Sequence, residues 1–204
     1  DGTWNVFHGG PSNLSATIEA YVALRLAGDA ADAPHMRAAA EYVRKAGGIE
    51  KSRVFTRIWL AMVGQWSWDD LPALPPEVIL LPSWFPLNIY DFASWARQTI
   101  VPLTVVASYR PSRPLPFDLA ELKTGLVEKG VPGWRDWAGR FHALDRALHF
   151  YEKRPIGPLR EHARALCAEW IVRRQEADGC WGGIQPPWVY SIIALHLMGY
   201  SLDH

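Results

Sequence analysis

Residues 175–191 read QEADGCWGGIQPPWVYS. Gln175 closes a helix-forming run, Asp178-Gly179 follows, then Trp181, then Gly-Gly-Ile-Gln-Pro-Pro ahead of a second apolar run. Asp–Gly pairs favour tight turns because Asp bonds to its own backbone and Gly tolerates positive φ. The stretch is therefore a joint between two helices. Gln175 can reach the backbone N–H groups left free at the start of the next helix, and the Trp181 ring can stack on its amide plane. The joint recurs: DGTW at 1–4, with Trp4, parallels DGCW at 178–181, and each is followed by a Gly-Gly pair and a helical run. Setting IEAYVALRLAG (18–28) against VYSIIALHLMG (189–199) matches Ala23-Leu24 with Ala194-Leu195 and Gly28 with Gly199. Glu19 then falls opposite Tyr190. One unit is repeated, with polar groups at the equivalent position of each copy's helix.

Helical periodicity dominates the rest of the chain, with no alternation of period two. Helices are expected over 12–27, capped by Ser12 or Ser15 and stopped by Gly28, and over 34–46, closed by Gly47-Gly48. A third runs from a Ser52 cap to Gly64, and a short one from Pro76 to Leu81. A longer apolar helix spans 89–107 and should kink at Pro102. Residues 118–128 are amphipathic, and helices are expected at 137–153, 159–176 and 188–200. Many helices of similar length on short Gly/Pro turns point to an all-α solenoid or closed α/α toroid.

The bulk composition excludes several classes. The 204 residues carry 21 basic and 21 acidic side chains, so no basic surplus favours nucleic acid. Eleven Trp suit a thick core or an aromatic-lined cavity. Cys167 and Cys180 have no metal-ligand spacing, so no metal site is expected and a reducing, cytosolic compartment fits best. No signal-peptide pattern opens the chain. Its most apolar stretch, 89–108, is interrupted by Asp91, Arg97 and Pro102, short of the roughly 20 apolar residues a membrane span needs.

The unit AEWIVRRQEADGCW (168–181) resembles the QW repeat of the squalene-hopene and oxidosqualene cyclase family, in which Gln, Asp-Gly and Trp (here Gln175, Asp178, Gly179 and Trp181) tie successive barrel helices together. GGIQPPWVYS, TIEAYVAL, GGIEKSRVFTRIWLA, PLNIYDFASWAR and FHALDRALHFYEK are similar to bacterial squalene-hopene cyclase, in the family's order. The likeness covers nearly the whole chain and is weakest from Pro111 to Trp134. It implies an α/α toroid and a single helical domain over 1–204, most of the second barrel of an N-terminal half, truncated at both ends. The family's acid motif, Asp-x-Asp-Asp, is absent, since Asp69-Asp70 lacks the first Asp.

The resemblance further implies a cyclase that protonates a terminal alkene or epoxide and lets a linear polyene close through carbocations. Such cations need a dry site and aromatic faces, and the end of the cascade needs a weakly basic water or proton acceptor. Glu19, Arg53, Trp59, Gln185 and Tyr190 match the water network near the deprotonation site. On the residues alone, Glu19 on an apolar helix face would need a partner if buried, and Arg53 can supply it, as a functional or a plain structural ion pair. Gln185 is expected in an exposed loop stiffened by its prolines. Trp95 matches a cavity tryptophan, Phe92 and Ile100 the neck of the substrate channel, and Ile184 and Pro186 the wall. Two helical turns separate Phe92 from Ile100, so both can share a face with Trp95. The other tryptophans (4, 66, 68, 84, 134, 137, 170, 181 and 188) read as core or repeat staples.

No cofactor is implied. The implied partners are squalene or a related polyprenyl substrate, the remainder of the same cyclase, and the cytoplasmic side of a membrane held monotopically, with a homodimer left open. Membrane-facing candidates are TIVPLTVVASY (99–109) and residues 119–127. Other readings are a cyclase for a different polyprenyl chain and a non-catalytic toroid that binds a partner. An α/α-barrel glycosidase or lyase would use Glu19 and Asp91, but no paired carboxylates repeat. A zinc-dependent prenyl transferase would need a ligand set that cannot be assembled here. Lacking its acid, the chain alone is expected to be inactive.

Overall fold

The computed structural model describes residues 2–125, 137–201, 203 and 204. Among them lie seven α-helices and no strand, as the missing period-two pattern implies. They are α1 (Leu14–Ala27), α2 (Pro34–Lys45), α3 (Val54–Met62), α4 (Ser94–Tyr109), α5 (Trp137–Lys153), α6 (Gly157–Val172) and α7 (Gln185–Leu197). Short 3-10 turns fill much of the space between them. The chain divides into two compact units, Asp1–Leu71 with Ser112–Gly130, and Pro72–Pro111 with Val131–His204.

In the first unit α1 packs on α2. Asn13, rather than Ser12 or Ser15, caps α1: its Oδ1 accepts from the Ala16 N–H at 3.0 Å. Ser15 instead lies inside the helix, buried, where its hydroxyl accepts the Arg53 N–H at 3.0 Å. Gly28 ends α1 at φ +109, a left-handed position open to glycine, as expected. Ser52 does not cap α3. Its hydroxyl closes the preceding 3-10 turn on the Ile49 carbonyl, and Arg53 takes the cap position without a side-chain bond. The core gathers Ile18, Tyr21, Met36, Val43, Ile49 and Leu60, and it also takes in Leu119 and Leu122. Those last two belong to the segment read above as amphipathic and membrane-facing, and both are fully buried. Only a 3-10 turn, Ala120–Leu122, forms there, and the segment's end lies outside the described residues.

Two carboxylates fasten that segment. Glu121 accepts from Tyr21 Oη at 2.7 Å and from Arg25 at 3.3 Å. Glu50 accepts the N–H groups of Thr124 at 3.0 Å and Gly125 at 2.8 Å.

In the second unit α4 packs against α7 and α6. Val101, Pro102, Leu103, Thr104, Val105 and Val106 are all buried, so the 99–109 stretch is core rather than a lipid face. Pro102 sits inside α4 and removes the N–H that would bond the Gln98 carbonyl. α4 also starts later than the periodicity implies. Asn88, buried, accepts from the Tyr90 N–H and donates to the Ser83 and Phe85 carbonyls, which winds residues 89–91 into a separate 3-10 turn. Arg160, buried at the start of α6, donates to Glu77 at 2.7 Å and bidentately to Glu152 at 2.8 and 3.2 Å.

Trp181 and Trp170 are buried, in keeping with a core reading. Trp84, Trp137 and Trp188 are not: they are 80%, 73% and 46% exposed, because apolar character fixes a preference for burial and not a position in the packing. Trp134 lies outside the described residues.

Candidate functional site

The joint at residues 175–183 is closed by its own hydrogen bonds. Asp178 Oδ1 accepts the Cys180 N–H at 2.9 Å, and Gly179 adopts φ +85, the turn expected of Asp–Gly. Gln175 Nε2 donates to the Gly179 carbonyl at 3.1 Å, inside the turn rather than to the next helix. The group that reaches forward is Glu176, whose carboxylate accepts the Gly182 N–H at 3.0 Å. Trp181, buried, reaches back and donates its indole N–H to the Ile171 carbonyl at 2.8 Å. That bond gives a second donor to a carbonyl in the last turn of α6, which also accepts the Arg174 N–H at 3.0 Å. In the first copy the Trp4 N–H donates to Thr17 Oγ1 at 3.0 Å and its carbonyl accepts from Asn13 at 2.7 Å. The repeat register holds: Leu14 and Gln185, aligned in sequence, open α1 and α7.

In the first unit, Glu19 and Trp59 come together. They line an open cavity of about 320 Å³ whose other walls include Ile18, Val22, Leu26, Thr56, Leu60 and Val63. The lining is apolar apart from one carboxylate and one hydroxyl. Thr56, itself buried, donates to Glu19 Oε1 at 2.6 Å. Arg53 is exposed at the head of α3, and among the described residues no ion pair joins it to Glu19. Glu19 is solvent-exposed, so it has no buried charge to neutralise and a hydroxyl suffices. Thr56 was not singled out in the sequence; its place one helical turn before Trp59 was the available signal.

In the second unit, Gln185 is exposed but does not lie in a loop. It is the first residue of α7, with Ile184 at the cap and Pro186 and Pro187 in the opening turn. Proline is at home there, because the N–H it lacks has no helical partner. Tyr190, 1% exposed, faces the packed interior of this unit, whereas its repeat counterpart Glu19 is exposed. Ile184 is exposed and Pro186 half-buried. Phe92 precedes α4 in extended backbone, so the shared helical face expected with Ile100 does not apply to it. Trp95 is 63% exposed in the first turn of α4 and Ile100 is half-buried. Arg97 turns to the Tyr90 ring, 5.4 Å from its centroid. The starts of α4 and α7 meet where Gln98 lies against Gly182. Phe92, Trp95, Ile184 and Trp188 thus leave apolar side chains exposed around those helix starts.

The Asp69-Asp70 pair is a 3-10 turn, and Ser67, standing where an acid motif would place its first Asp, caps it by accepting the Asp69 N–H at 3.1 Å. Among the described residues no group of three or more metal-ligating side chains converges.

The family model for the squalene-hopene cyclase N-terminal domain matches residues 1–204. The chain belongs to that family. It is 47% identical to a squalene–hopene cyclase of Alicyclobacillus acidocaldarius over 97% of this chain and 32% of that protein. It is 39% identical to a squalene hopane cyclase of Aspergillus fumigatus over 99% of this chain and 29% of that protein. A dammaradiene synthase of Dryopteris crassirhizoma is 38% identical over 98% of this chain and 30% of its own length. The chain therefore spans about a third of the relatives it matches. The all-α class expected from the sequence and the family it resembles are both borne out.

Proposed function

We propose that the chain is part of a class II terpene cyclase of squalene-hopene type, contributing most of one α/α barrel. The whole protein protonates a linear polyene, closes rings through carbocations, and ends by losing a proton or capturing water. This chain supplies cavity wall and terminating end; the acid lies elsewhere in the whole protein. The observation that carries this reading is the apolar cavity holding Trp59 beside a single Thr56-bound carboxylate, Glu19. A hydrocarbon needs apolar walls, a cation is best met by an aromatic face, and one exposed carboxylate at the rim can hold the water that accepts the last proton. In this reading Arg53 adds charge at the head of α3, and Gln185, at the start of α7, and Tyr190, beneath it, are assigned to the terminating end by family resemblance. Trp95, Phe92, Ile100, Ile184 and Pro186 form channel and wall.

Peripheral membrane contact is part of the proposal. No described helix is long and apolar enough to cross a membrane. What supports surface contact is α5, where Trp137, Phe141 and Leu144 recur at helical spacing and are all exposed. Arg140 lies over the Trp137 ring, 5.4 Å from its centroid.

Solvent labelling tests the chemistry. When the full-length protein converts squalene in deuterium oxide, each product molecule should carry one deuterium on carbon from the initiating protonation. Product without that deuterium contradicts the mechanism.

A further inference from the structure

We propose that Gln98 is a positioning residue for Gln185, acting as the floor on which the turn before α7 rests. The proposal rests on the cyclase reading above.

Gly182 and Gly183 both adopt left-handed backbone, φ +65 and +63, so the chain bends sharply between Trp181 and the start of α7. Trp181 anchors one end of the bend on the Ile171 carbonyl, and the Glu176 carboxylate holds the Gly182 N–H from one side. Gln98, from α4, closes the other side. A Cβ built on Gly182 would meet Gln98 Oε1 at 2.3 Å, and both Gln98 Cδ and Pro187 Cγ at 3.5 Å. One Cα–H of Gly182 therefore points at the Gln98 amide oxygen. That oxygen is closed off from solvent and, among the described residues, meets no N–H or O–H donor. Burying an acceptor in that way has a cost. The Cα–H contact and the packing around the amide hold it in place.

The consequence falls on Gln185. Among the described residues no side chain caps α7, so no capping bond fixes where its first turn begins. Pro186 and Pro187 leave the turn little freedom to readjust. A shift of Gly182 is therefore passed on to Gln185. Trp95 lies three residues before Gln98, so the same contact sets the spacing between the wall residue on α4 and the proposed terminating residue on α7. Where a cation loses its proton or meets water depends on that placement, and misplacements near 1 Å are felt strongly in rate.

The test is product partition by the full-length protein given squalene. Gln98→Ala should change the ratio of alkene to alcohol product by at least about threefold, with squalene consumption within about twofold of wild type. Gln98→Met, which refills the volume, should bring the ratio back toward wild type. Val105→Ala, a buried truncation on the same helix, should leave the ratio unchanged and so separates positioning from general loosening. An unchanged ratio in Gln98→Ala, an equal shift in Val105→Ala, or no recovery in Gln98→Met overturns the proposal while the cyclase reading stands. A wild-type protein that leaves squalene untouched overturns the cyclase reading and this proposal with it.

Discussion

The Thr56 hydroxyl donates to Glu19 Oε1 at 2.6 Å, linking α3 to α1 at the cavity that Trp59 lines. The hydroxyl donor fixes the orientation of the carboxylate at the cavity wall. A carboxylate that is to help remove a proton through water gains from that.

Thr56→Val keeps the shape and removes the donor. Glu19 is exposed and can turn to solvent, so stability should change by less than about 1 kcal/mol. The product mixture of the full-length protein should shift toward mis-terminated products. Melting curves and product analysis check the two halves, and an unchanged mixture removes Thr56 from the terminating end.

Trp181→Phe should destabilise the chain by about 1 kcal/mol, since the Ile171 carbonyl loses the indole donor but keeps the Arg174 N–H, and most of the ring volume stays. Urea unfolding measures it. A loss under about 0.5 kcal/mol would mean that the ring's packing, and not its N–H, holds the joint.

The Arg160 network predicts a larger effect. Its side chain is buried between Glu77 and Glu152, and Arg160→Leu would leave two carboxylates without their cation. Removing one partner of a buried ion pair costs about 3–5 kcal/mol. Urea unfolding at pH 7 should show it, and a near-neutral result would mean that the site admits water freely.

Acid should loosen the segment that Glu50 fastens. Burial pushes the Glu50 carboxyl up, but its own N–H and those of Gly125 and Thr124 outweigh that and hold it below the usual range. With the folded value below the unfolded one of about 4.3, the stabilisation is present above that pH and is lost as pH falls through the folded value. Glu50→Gln should therefore be less stable than wild type at pH 7, and the gap should close below about pH 4. A gap that stays constant with pH would contradict the ionic role.

How much of this was legible in the sequence depended on how local the cause was. Gly28 as a stop, the Asp178-Gly179 turn and the end of α5 at Lys153 follow from backbone preference, and they were read directly. The start of α4 was not, because buried Asn88 winds residues 89–91 into their own turn through bonds that periodicity does not register. The start of α7 was missed because prolines read as loop formers, although they fit an opening turn equally well. The apolar run at 99–109 and the pair Leu119 and Leu122 suit core and membrane alike, and only packing assigns them to the core. At the site, Glu19 and Trp59 were found through family likeness. Thr56 escaped notice because a threonine on a helix looks ordinary until its neighbour across the cavity is known.

Squalene conversion, followed by gas chromatography for the full-length protein and for the 204-residue chain side by side, tests the central claim most directly. The full-length protein should consume squalene and give cyclised product, and the chain alone, which has no Asp-x-Asp-Asp acid, should give none. Squalene left intact by the full-length protein, or turned over by the chain alone, would contradict the account.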